Sequence, residues 1–128
     1  MSEMLGFSLD LSYKKRTEQL KQSPFAIWDV LESCERQGSL DSSIVRESET
    51  PNNILQFLNN YPDVSLLAFN GGAAKKIYQR HCAASINQVY SEKNDLEFVQ
   101  LPSTSPAYAS MKRDAKLKLW LDAFKKYL

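Results

Sequence analysis

Val64-Ser65-Leu66-Leu67-Ala68-Phe69, followed by Asn70-Gly71-Gly72, decides the architecture of this chain. A run that is nearly all apolar, short, and closed by Asn-Gly-Gly reads as a parallel strand covered on both faces. After the turn, Ala74, Ile77, Tyr78 and His81 form the inner stripe of a helix. Glu97-Phe-Val-Gln-Leu101 reads as the last strand.

Working outward, Ile54, Phe57, Leu58 and Tyr61 fall at i, i+3, i+4 and i+7. That spacing predicts a short amphipathic helix, with Pro51 near its first turn and Pro62 after it. Phe25-Ala-Ile-Trp-Asp-Val-Leu31 reads as another strand, and Ser33 to Asn52 as a polar loop. Leu9, Tyr13, Thr17 and Leu20 give a helix ended by Pro24, and Met1, Met4 and Leu5 give half a helical stripe that Gly6 can terminate. Met111, Ala115, Leu119 and Ala123, with Trp120 and Phe124, belong to a long terminal helix. The order predicts one domain over 1–128, an α/β fold: a three-layer α/β/α sandwich with a short parallel sheet. Three strands make a thin sheet, and the chain opens inside an apparent helix. Either this is a small three-stranded domain or a first βα unit is absent, and the second is the expectation.

Composition narrows the functional classes. The chain has 128 residues, 43% hydrophobic and 24% charged, which suits one globular core with neither disulfide nor metal as a staple. A formal charge of +1 leaves nucleic-acid binding to the distribution of charge. Cys34 and Cys82 lack any CxxC spacing and read as reduced, buried thiols of a cytoplasmic protein. Two cysteines are too few for a four-thiolate iron–sulfur cluster, and a lone histidine, His81, cannot build a metal site; it reads as a helix residue half in the core. No stretch approaches the roughly 18 apolar residues of a membrane span. There is no Ser/His/Asp grouping, GxGxxG or phosphate-binding GxxxxGK[ST].

In open α/β sheets, ligands bind beyond the carboxyl ends of the strands. Three segments are expected there, provided all three strands are parallel: Glu32 to Asp41, Asn70-Gly71-Gly72, and Pro102 to Ala109. At the second, the helix N-terminus at Gly71 and Gly72 can hold an anion or a polarised carbonyl, and the Asn70 amide offers donor and acceptor to a base edge. Asn70 can equally be a helix cap. In the third, prolines fix φ while Ser103, Thr104 and Ser105 can donate to phosphate oxygens, and Tyr108 can stack or wedge. Lys112, Arg113 and Lys116 would widen a phosphate-facing patch, or form a solvated helix face.

Four blocks in order, Phe25-Ala-Ile-Trp-Asp-Val-Leu31, Cys34-Glu-Arg-Gln-Gly-Ser-Leu-Asp41, Leu67-Ala-Phe-Asn-Gly71 and Leu101-Pro-Ser-Thr-Ser-Pro-Ala-Tyr-Ala109, resemble the DNA-deoxyinosine (hypoxanthine-DNA) glycosylases, a branch of the uracil-DNA glycosylase superfamily. The resemblance implies removal of deaminated bases, hypoxanthine and also uracil, from double-stranded DNA. The base is flipped into a pocket and its N-glycosidic bond hydrolysed without metal or other cofactor. It places Asn70 in the base pocket and makes Ser103, Thr104, Ser105, Pro106, Ala107 and Tyr108 the segment that pinches phosphates and fills the gap in the stack. Arg36, Gly38 and Ser39 match a loop near the cleft. A complete member is expected to be monomeric.

The chain departs from the pattern at its start. Nothing matches the family's GSxPG-like turn or the following segment with the principal catalytic Asn, so this form is expected to be inactive or weakly active. Asn53 stands where an acidic residue is expected. The alternatives are an inactive relative that only binds DNA or a partner, and a small α/β domain binding a phosphorylated ligand at Asn70-Gly71-Gly72.

Overall fold

The computed structural model describes residues 6, 8, 10–36, 44–90, 96–105 and 110–128, with the backbone alone for 34–36 and 44–47. Its elements are α1 (Tyr13–Lys21), β1 (Leu31–Arg36), β2 (Ile44–Pro51), α2 (Ile54–Asn60), β3 (Leu66–Asn70), α3 (Gly72–His81), α4 (Ala83–Tyr90), β4 (Glu97–Leu101) and α5 (Arg113–Phe124), closed by a 3-10 turn at Lys125–Tyr127. The half-stripe expected at Met1–Leu5 lies outside the described residues, as does Leu9.

β3 and β4 are parallel, paired from Leu66↔Glu97 to Asn70↔Leu101, as the apolar run predicts. Helices cover both faces, because a parallel strand offers apolar side chains in both directions. On one face Phe69 joins Leu58, Tyr78, Cys82 and Ile86 in a buried cluster. On the other, Leu101 packs with Phe124, flanked by Val99, Leu117, Trp120 and Leu121. The three-layer α/β/α arrangement is thus present around a short parallel sheet. Ile86, fully buried, contributes roughly 2 kcal/mol by burial alone. Burial also pushes the Cys82 thiol up.

The strand expected at Phe25–Leu31 is not a strand. Its side chains divide between the two clusters: Phe25 meets the Phe124 ring edge-on at 4.9 Å, Trp28 meets Phe57 at 4.6 Å, and Val30 packs against the Leu58 cluster. Asn52 satisfies its carbonyls, donating from Nδ2 to Asp29 O (2.7 Å) and from its backbone to Val30 O (2.8 Å). A short apolar run cannot by itself tell a paired strand from an extended crossing segment.

The polar loop expected at Ser33–Asn52 is replaced by the antiparallel pair β1–β2, from Leu31↔Pro51 to Arg36↔Ile44, with register shifts on either side of Ser33. Such irregularities break the two-residue alternation by which a strand is recognised. The premise that three strands run parallel fails with it: among the described residues β1 pairs with β2 in a separate sheet. Asn53, not Pro51, opens α2, its side chain accepting from Gln56 N at 3.0 Å. In the terminal helix, Leu119 is 43% exposed and the inner stripe is Leu117, Trp120, Leu121 and Phe124; Met111 precedes the helix.

Candidate nucleic-acid interface

Parallel pairing sets the carboxyl ends of β3 and β4 side by side, so Asn70 stands next to Leu101. At Gly71 the chain turns with φ +94° and ψ 166°, and its N–H reaches both Leu101 O (2.9 Å) and Phe69 O (3.0 Å). Only glycine adopts this backbone region readily. Space requires it too, since a Cβ on Gly71 would sit 3.0 Å from Ser103 Cβ.

The Asn70 side chain does not cap α3. Gly71 occupies the cap position and no side chain bonds there. Asn70 Nδ2 instead donates to Thr104 Oγ1 at 2.9 Å, while Thr104 N donates to Asn70 Oδ1 at 2.9 Å. This reciprocal pair fixes the amide's orientation. It engages one of the two N–H groups and one oxygen lone pair, leaving one of each for a further partner. Both residues are exposed.

Three more contacts hold the segment after β4. The Trp120 indole donates to Pro102 O (2.9 Å), Ser105 N donates to Ser103 Oγ (3.1 Å), and Lys116 Nζ donates to Ser105 O (3.3 Å). Lys116, expected to widen a phosphate-facing patch or a solvated helix face, thus reaches the backbone of the loop that follows β4. Lys112, at the N-cap of α5, and Arg113, its first residue, are exposed. They sit at the positive end of that helix's dipole. The Trp120 anchor had a sequence signal, for an indole N–H near a core needs an acceptor.

Two of the three expected segments thus come together: Asn70-Gly71-Gly72 and Pro102–Ser105. The third does not join them through the sheet, since β1 belongs to the other pair. Arg36 ends β1, its backbone paired with Ile44, and its side chain lies outside the description. Gly38, Ser39, Pro106, Ala107, Tyr108 and Ala109 lie outside the described residues, as does the side chain of Cys34.

A charged cluster escaped the sequence reading. Glu49 of β2, its side chain 3% exposed, pairs through one carboxylate oxygen with the Arg80 guanidinium and with His81 Nε2 (2.7 Å) at the end of α3. Burial pushes the Glu49 carboxyl up, but bonds from Arg80 and His81 outweigh it and hold it below the usual range. His81 is half-buried, as expected, and its partner is this carboxylate. The cluster fastens the β1–β2 pair to α3, the helix that begins at Gly72. With Ser33–Asn52 read as a loop, no pattern turned Glu49 inward.

No family model matches the chain. Over 65 residues, 51% of the chain, it is 34% identical to the hypoxanthine DNA glycosylase of Methanosarcina acetivorans, and the match spans 40% of that protein's length. The solution structure of a candidate uracil DNA glycosylase from the same organism superposes with a TM-score of 0.71 at 26% identity, covering 98% of this chain and 71% of the other.

Proposed function

We infer that this chain, a uracil-DNA glycosylase-like protein similar in sequence to a hypoxanthine DNA glycosylase, recognises deaminated bases in double-stranded DNA and cleaves their N-glycosidic bond. The observation that carries this reading is the Asn70–Thr104 clasp at the carboxyl ends of β3 and β4. It orients an exposed amide with one N–H and one lone pair to spare, complementary to the edge of a flipped purine or pyrimidine. Hypoxanthine is the favoured base, with uracil second.

The rest of the interface serves the backbone. Ser103, Thr104 and Ser105, continuing into Pro106, Ala107 and Tyr108, hold phosphates and fill the vacated stack. Lys112 and Arg113 extend the contact along the strand, and Arg36, Gly38 and Ser39 border the cleft. Gly71 lets β3 turn into α3 without a side chain intruding on Ser103 of the loop, and Gly72 follows it at the start of α3, where a side chain would meet that of Gln100. Hydrolysis proceeds through an oxocarbenium-like state attacked by water, in which Asn70 orients the departing base.

The test is single-turnover incubation of the chain, in excess, with duplexes carrying one inosine, one uracil or no lesion, followed by alkaline cleavage of abasic sites. Slow strand breakage at inosine, lost in Asn70→Ala, is expected, together with tighter binding to the inosine duplex than to the undamaged one. Equal binding to all three duplexes without any breakage would overturn the reading.

A further inference from the structure

A trough runs along the outer edge of β4. Glu97 N donates to Ser65 O and Leu101 O accepts from Gly71 N, both at 2.9 Å, so these residues turn their backbone groups inward. In a parallel pair alternate residues face the neighbouring strand, hence Phe98 and Gln100 direct their N–H and C=O outward. Among the described residues no strand pairs with that edge.

The trough also has a floor and a wall. Three rings form the floor: Phe98 lies nearly parallel to Phe69 (6.4 Å, 10°) and 5.9 Å from Tyr78. Every fourth residue through α3 and α4, namely Lys75, Gln79, Ala83 and Asn87, forms the wall. They enclose a partly open cavity of about 160 Å³. An apolar cavity of about 150 Å³ holds a benzene ring, so the space suits one aromatic side chain. Phe98 is 43% exposed, a large apolar surface left uncovered beside unpaired strand groups.

We propose that the β4 edge pairs with an extended peptide segment of a partner protein, which seats one aromatic side chain in this cavity and sets an acidic side chain two positions along against Lys75. A strand added at the usual spacing of about 4.8 Å would place alternate side chains over Phe98 and against the helical wall. Lys75 is the cation of that wall, and residues two apart on a strand share a face. The inference is independent of base excision, since it uses the outer edge of β4 and not the carboxyl ends of the strands.

The probe is the acetylated, amidated peptide Thr-Val-Phe-Thr-Asp-Thr, titrated into the labelled 128-residue chain and followed by amide shifts. Saturable shifts at Lys75, Gln79, Phe98 and Gln100 are expected, absent when the peptide's Phe is replaced by Ser. Lys75→Glu should weaken the Asp peptide about threefold and tighten its Lys counterpart similarly. Absence of shifts along β4 at millimolar peptide, or equal affinity for the Phe and Ser peptides, would refute the proposal. Loss of the same signals on concentrating the protein alone would assign the edge to a second copy and overturn the peptide reading.

Discussion

Gly71→Ala tests whether the turn between β3 and α3 is set by torsion, by space, or by both. At φ +94° and ψ 166°, an alanine carries a torsional cost of about 1–3 kcal/mol. Its Cβ would also stand 3.0 Å from Ser103 Cβ. Ser103 cannot simply retreat, because Pro102 O is held by Trp120 and Thr104 by Asn70. Overpacking of that kind costs about 1 kcal/mol or more. The two together predict a loss of about 3 kcal/mol, or roughly 12 °C in Tm at about 4 °C per kcal/mol for a domain of this size. Thermal melts of the parent, Gly71→Ala, Ser103→Gly and the double variant separate the contributions. In the Ser103→Gly background the contact is gone, so the cost of Gly71→Ala should fall to its torsional part, about 2 kcal/mol. A Tm change under about 2 °C would refute the argument altogether. Complete rescue by Ser103→Gly would refute its torsional half.

Four other expectations concern the charged cluster and the interface. Arg80→Ala leaves a carboxylate that is 3% exposed with His81 as its remaining partner and should cost about 2 kcal/mol, whereas Glu49→Gln frees an arginine 29% exposed and should cost about 1 kcal/mol; urea denaturation giving the opposite order would contradict the burial argument. Because the Glu49 carboxyl is held below its ordinary 4.5, its stabilising share is complete above that pH and drains away as pH falls through the lowered value. Glu49→Gln should flatten that acid limb, and an unchanged limb would remove Glu49 as its source. Asn70→Ala should lower stability by about 1 kcal/mol or less, its two bonds to Thr104 being exposed, yet abolish discrimination of an inosine duplex. Lys112→Ala should reduce the salt slope of DNA binding by about one, with no change in base preference.

The parallel core was legible in the chain. Val64–Phe69 is a short, nearly all apolar run closed by turn residues, and a strand covered on both faces leaves that mark whatever its neighbours are. α2 was legible for the same local reason, with its apolar residues at helical spacing. Phe25–Leu31 and Ser33–Asn52 were misread because an extended crossing segment has a strand's composition, while β1–β2, shifted in register at Ser33, lacks a strand's alternation.

The candidate site divides similarly. The sequence alone marked Asn70, Gly71 and the Ser103–Ser105 segment, because glycine after asparagine and hydroxyls between prolines are local chemistry. Tertiary structure decided what they do to one another. Parallel pairing of Asn70 with Leu101 brings two distant turns into contact, so the amide clasps Thr104, 34 residues further on, and leaves α3 without a side-chain cap. It likewise decided that Glu49 meets Arg80 and His81. A hydrogen bond between distant residues leaves no periodicity in the chain; it exists only once the strands are paired and the helices packed.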